Sequence, residues 1–128
     1  MNEARRILVV DDNRDILDLA ATVLAGAGYA VSTASSGIGA LDLLAEEHFD
    51  LLLLDINMPD MDGWQTLRLI RAERSMNDLP VVMFSIKGEI RDKVHSMQEG
   101  ALDYITKPFA VDELVERVGR VFETNGVR

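Results

Sequence analysis

The chain contains no cysteine, which excludes a disulfide framework, thiolate metal sites and a thiol nucleophile. Aromatic residues are scarce at 5%, leaving few flat surfaces on which nucleic-acid bases stack. Positive charge is also short: 13 Lys and Arg stand against 22 Asp and Glu, a formal net charge of −9. Such a surface repels phosphate backbones and anionic lipid, which argues against direct nucleic-acid or membrane binding. No long apolar run occurs. None inside the chain is longer than runs such as Leu51–Leu54, far below the ~20 residues of a membrane span. The apolar stretch after Arg5 and Arg6 is broken within four residues by Asp11 and Asp12, too soon for a signal-peptide core. The expectation is a soluble cytoplasmic protein.

What is present is an ordinary globular balance, 48% hydrophobic and 27% charged over 128 residues. That length suits one domain able to bury a core without a staple. Short apolar runs at Ile7–Val10, Tyr29–Thr33, Leu51–Leu54, Val81–Phe84 and Tyr104–Thr106 read as strands. The first, third and fourth are continuously apolar, as parallel strands covered on both faces should be. Helical stripes lie between and after them: Ile16, Ala20, Val23, Leu24 and Ala27; Leu41, Leu44 and Ala45; Trp64, Leu67 and Ile70; Ile90, Val94 and Met97; and Leu114, Val115, Val118, Val121 and Phe122. The alternation predicts an α/β fold, a three-layer doubly wound (βα)5 domain with a five-stranded parallel sheet. One domain is expected over residues 1–128, with its core at about 5–123 and a short C-terminal tail. The start at Met1 reads as a natural beginning, although the tail fits a trimmed chain equally well.

In such sheets chemistry gathers beyond the carboxyl ends of the strands. There the chain places Asp11-Asp12, Asp55, Ser85 and Lys107-Pro108. Asp12 and Asp55 are 43 positions apart, room for two crossovers, so their strands can be neighbours. Three carboxylates in one crevice repel one another, and a hard dication such as Mg²⁺ is the natural neutraliser. Singly, each residue has a plainer explanation. Asp12 or Asn13 serves as a helix N-cap, Ser85 as a turn hydroxyl, Lys107 as a solvated lysine and Tyr104 as a half-buried strand aromatic. The set is what points to a site. Trp64 reads as a helix-start residue packing locally, His48 and His95 as surface residues, and Glu113, Glu116, Arg117 and Arg120 as a solvated helix face.

Four segments carry a family likeness: Ile7-Leu8-Val9-Val10-Asp11-Asp12-Asn13, Leu53 to Gly63 with Asp55-Ile56-Asn57-Met58-Pro59, Pro80 to Ser85, and Gly100 to Phe109 with Thr106-Lys107-Pro108. In this order and spacing the chain resembles the receiver domain of bacterial two-component response regulators. The resemblance implies the flavodoxin-like strand order 2-1-3-4-5 and makes Asp55 the phosphoacceptor. It places Mg²⁺, with Mn²⁺ as alternative, on Asp11, Asp12, Asp55 and the backbone carbonyl of Asn57. It makes Lys107 the phosphoryl-binding lysine, Ser85 and Tyr104 the switch pair, and the Lys107–Pro108 peptide cis. The implied phosphodonor is a sensor histidine kinase or a histidine phosphotransfer protein. The implied output is a changed surface of the fourth helix, fifth strand and fifth helix, read by a downstream protein. On this reading the chain is not an enzyme, but it assists its own phosphorylation and dephosphorylation. Ile86 departs from the small residue usual after the switch hydroxyl and is expected to slow both small-donor phosphorylation and hydrolysis. Lys87 and Asn57 stand where the family tunes hydrolysis.

Other readings remain to be weighed. An aspartyl phosphatase wants a carboxylic acid two residues after its nucleophile, where this chain has Asn57. A flavin site wants hydroxyl and glycine donors where Asp11-Asp12-Asn13 stand. A phosphate-independent interaction module, or a receiver segment of a longer kinase or regulator, stays open.

Overall fold

The computed structural model describes residues 4–85, 94, 95 and 97–124. Five strands, β1 (Arg6–Val10), β2 (Ala30–Ala34), β3 (Leu51–Asp55), β4 (Val81–Ser85) and β5 (Asp103–Thr106), form one sheet in the order β2-β1-β3-β4-β5. Every pairing is parallel. Helices α1 (Arg14–Gly26), α2 (Gly37–Glu46) and α3 (Gly63–Ala72) and a C-terminal helix (Val111–Thr124) cover it. Between β4 and β5, Val94, His95, Met97 and Gln98 are helical. Among the described residues no helix is long and apolar enough to cross a membrane.

Strand side chains alternate across the sheet, so each apolar strand feeds two cores. Leu8, Val10, Leu52, Leu54, Val81 and Met83 pack under Ala40 of α2 and Leu67 and Ile70 of α3. Ile7, Val9, Leu51, Leu53, Val82 and Phe84 pack under Leu17, Ala20 and Leu24 of α1 and Leu114, Val118 and Phe122 of the C-terminal helix. The three-layer doubly wound architecture and the 2-1-3-4-5 order are therefore as expected. Within elements the faces turn slightly. Leu17 is buried where the stripe pointed to Ile16, and Ala40 where it pointed to Leu41 and Leu44. Of the fourth stripe, Ile90 lies outside the described residues, while Val94 and Met97 are about half exposed.

The turns at the carboxyl edge are locally encoded. Asn13 caps α1, its Oδ1 accepting from the N–H groups of Asp15 and Ile16 at 2.9 and 3.2 Å. Asp62 and Gln65 close a capping box on α3 with bonds of 2.9 and 3.0 Å. Gly63 has no alternative: a Cβ there would lie 2.3 Å from the carbonyl oxygen of Asp55.

Candidate functional site

β1 and β3 are sheet neighbours with Val10 opposite Leu54, so the residues that follow, Asp11 and Asp55, emerge side by side. β4 lies on the far side of β3, and β5 beyond it. The Lys107 N–H donates to the Ser85 carbonyl at 2.7 Å, tying the start of the Lys107–Pro108 turn to the end of β4. That peptide is cis. A cleft of about 520 Å³ opens here, lined by Asp11, Asp12, Asn13, Ile16, Asp55, Asn57, Lys107 and Pro108.

Its floor is charged and buried. Asp11, Asp55 and Lys107 are 0%, 4% and 6% exposed, so Lys107 is no solvated lysine. The Lys107 ammonium donates to Asp11 Oδ2 and to Asp55 Oδ1 at 3.3 Å, and sits 4.7 Å from the Phe84 ring centroid. The Asn13 N–H holds the other Asp11 oxygen at 2.9 Å. Asp12 is exposed at the rim. It is not the cap; Asn13 is. One carboxylate oxygen from each of Asp11, Asp12 and Asp55 lies within 4.8 Å of the others.

Burial weighs most on Asp55. Its carboxyl is pushed up from 3.8 to about 7. Burial is the main cause, Asp11 and Asp12 push the same way, and the charge and hydrogen bond of Lys107 oppose them. At neutral pH the site thus sits near the point where a positive charge tips Asp55 into its ionised form.

Ser85 is fully buried and its Oγ has no hydrogen-bond partner among the described residues, an unusual state for a buried hydroxyl. Tyr104 is 4% exposed, in the core under α2 and α3, deeper than a half-buried aromatic. Asn57 lines the cleft. Ile86 and Lys87 lie outside the described residues. His48 is exposed as expected, 3.1 Å from Asp50. His95 and Trp64 depart from expectation: their rings meet edge-on, centroids 4.2 Å apart, because the helix after β4 packs beside α3. Arg117 is not simply solvated either, donating to Asp103 at 2.8 Å and to the Tyr104 carbonyl at 3.3 Å. Sequence reasoning missed Phe84 as the ring beneath Lys107 and Ile16 as a cleft wall. The only signal for Phe84 was its place as the last apolar residue of β4.

Comparison with known proteins agrees with this geometry. The response regulator receiver domain model matches residues 7–119. The DNA-binding dual master transcriptional regulator RpaA of Synechocystis is 40% identical over 113 residues, covering 88% of this chain and 47% of that protein. The regulatory protein VanRc of Enterococcus gallinarum is 41% identical over 115 residues, 90% of this chain and 48% of that one. The chain thus spans about half the length of the curated relatives it matches. The solved chemotaxis protein CheY4 of Vibrio cholerae superposes with a TM-score of 0.88 at 29% identity, covering 93% of this chain and 99% of that one.

Proposed function

Since the chain belongs to the response regulator receiver domain family, we propose that it is a phosphorylation-dependent switch of a two-component phosphorelay, with Asp55 as its phosphoryl acceptor. Receiver domains are signalling domains rather than classical enzymes. The observation that carries the reading is a nearly buried carboxylate, Asp55, at the floor of an open cleft with an ammonium 3.3 Å away and two more carboxylates beside it.

The donor set fits a hard dication: three carboxylates offer one oxygen each within 4.8 Å of one another. Asp11, Asp12, Asp55 and the Asn57 carbonyl would hold Mg²⁺ or Mn²⁺, which when bound offsets the negative charge on Asp55 and on incoming phosphoryl oxygens. The remaining work belongs to the chain. An oxygen of Asp55 forms the new P–O bond as the P–N bond of a phosphohistidine donor breaks and the imidazole leaves. Lys107, already within reach of Asp55, pairs with a phosphoryl oxygen and stabilises charge in the transition state. The Ser85 hydroxyl turns to a phosphoryl oxygen and satisfies its missing hydrogen bond. A hydrogen bond to a charged group stabilises by about 1.5–3 kcal/mol, whereas inverting a 1:99 population takes about 5.5 kcal/mol. Ser85 therefore acts with Lys107 and with repacking of Tyr104, and the surface of the helical residues Val94, His95, Met97 and Gln98, of β5 and of the C-terminal helix changes for a protein partner.

The phosphodonor is a sensor histidine kinase or a histidine phosphotransfer protein, in the cytoplasm. The domain spans residues 1–128. A receiver segment of a longer regulator is the second reading, favoured by relatives about twice as long. The test is intact mass after incubation with acetyl phosphate, with and without Mg²⁺, beside Asp55→Asn. A gain of one phosphoryl group requiring both Mg²⁺ and Asp55 is expected. No gain, repeated with a phosphohistidine donor, would assign the chain to phosphate-independent binding.

A further inference from the structure

Lys107 follows β5, yet it reaches Asp55 at the end of β3, so its side chain must cross β4, which lies between them. Sheet register decides what it crosses. Asp55 pairs with Phe84 across β3 and β4, and Phe84 pairs with Ile105 across β4 and β5. Paired residues of neighbouring strands project to one face of a sheet, and residues two apart on a strand share that face. Asp55, Phe84, Ile105 and Lys107 therefore lie on the same side, and the lysine passes over Phe84. Its ammonium sits over the ring face, 4.7 Å from the centroid.

The ring has little freedom to turn away. Phe84 is fully buried in the core under α1 and the C-terminal helix, and it packs on Phe109 with centroids 5.3 Å apart and planes at 42°. The ammonium has three N–H donors. Among the described residues its hydrogen-bond acceptors are Asp11 Oδ2 and Asp55 Oδ1, and the ring face is its remaining neighbour. The Lys107 side chain is 6% exposed, and attraction of a cation to a ring quadrupole is strongest where water is excluded.

We infer that Phe84 is a positioning residue for phosphoryl transfer, acting through Lys107: its ring face seats the ammonium while the lysine exchanges Asp55 for a phosphoryl oxygen. The inference rests on the reading of Asp55 as acceptor. With acetyl phosphate, an Asp55 oxygen bonds phosphorus as the P–O bond to the acyl group breaks and acetate leaves with its electron pair. Asp55 thereby gives up the charge that held the ammonium, and Asp11 and the ring remain. Hydrogen bonds to carboxylates are directional, whereas the ring face attracts the ammonium at any rotation about the Cε–Nζ bond. The ring's share of the seating is thus larger in the transition state than before it, and only such a difference alters the rate.

The test compares the full wild-type chain with Phe84→Leu and with chains whose residue 84 is a phenylalanine carrying one, two or three ring fluorines. Fluorine draws charge from the ring face at nearly constant volume. Three properties are followed: the Lys107 ε-methylene proton shifts without metal, the urea midpoint, and the rate of phosphoryl mass gain with Mg²⁺ and acetyl phosphate. The wild-type ε-methylene protons should resonate upfield of an ordinary lysine, displaced by the ring current, and should return in Phe84→Leu. The rate should fall stepwise with fluorine number, about three- to tenfold by the third, while the urea midpoints of the fluorinated chains stay together. Phe84→Leu should be slowed at least as much. A rate indifferent to fluorine number, or ε-methylene shifts unchanged in Phe84→Leu, would overturn the inference while the mass gain left the acceptor reading standing. No mass gain in wild type would overturn both.

Discussion

The raised pKa of Asp55 makes metal-free stability depend on pH with an unusual sign for a carboxylate. Its carboxyl moves from 3.8 to about 7 on folding, which corresponds to about 4 kcal/mol between its two protonation states. Between those values the folded chain keeps a proton that the unfolded chain has lost. The favourable contribution is therefore complete below pH 3.8 and is lost as pH rises through 7. At pH 5 about 2–3 kcal/mol of it survives, and at pH 8 almost none. Asp55→Asn resembles the protonated acid and carries no such dependence. Urea unfolding of wild type and Asp55→Asn in EDTA, at pH 5 and pH 8, isolates the group because other titrations are common to both. Asp55→Asn should gain about 2–3 kcal/mol relative to wild type on going from pH 5 to pH 8. The same linkage makes Mg²⁺ affinity fall toward tenfold per pH unit below 7 in wild type. Parallel stability curves for the two proteins would refute the argument that burial and the neighbouring aspartates keep Asp55 protonated.

Lys107→Ala leaves Asp11 and Asp55 buried without their counter-ion, and should cost about 3–5 kcal/mol at pH 8 by urea unfolding, less at pH 5, with part restored by Mg²⁺. Gly63→Ala forces a Cβ to 2.3 Å from the Asp55 carbonyl oxygen. It should destabilise by about 1–3 kcal/mol and weaken Mg²⁺ binding measured by titration calorimetry, because the strand end carrying Asp55 must shift. Ile86→Ala should both speed acetyl phosphate labelling and shorten the half-life of the phosphorylated form, followed by mass; an unchanged or longer half-life would show that Ile86 does not crowd the acceptor.

The sheet was legible because the runs Ile7–Val10, Leu51–Leu54 and Val81–Phe84 are continuously apolar, a pattern that two-sided burial explains. β2 and β5, at the edges, alternate less cleanly, and the β2 boundary moves from Tyr29–Thr33 to Ala30–Ala34. That Asp11, Asp55 and Lys107 gather at one edge was legible because each follows a strand at its carboxyl end. The burial of Lys107 was not, since a lysine before proline carries no sign of the two carboxylates and the phenylalanine ring that receive it. Trp64 and His95 lie on different helices, and no local pattern announces that their rings meet.

β3 presents four consecutive leucines, and the pleat cannot tell one from the next. Leu51 and Leu53 fill the core under α1 and the C-terminal helix, Leu52 and Leu54 the core under α2 and α3. A slip of one residue would exchange the two sets and bury equivalent side chains, so leucine alone leaves the alignment degenerate. Asp55 removes the degeneracy. Moved back by one position it would enter the aliphatic layer now occupied by Leu54, away from Lys107, at a cost of several kcal/mol. The residue proposed to receive the phosphoryl group is thus also the peg that tells the central strand where to stop, and a neutral apolar replacement there would loosen the alignment of the sheet as well as silence the chemistry.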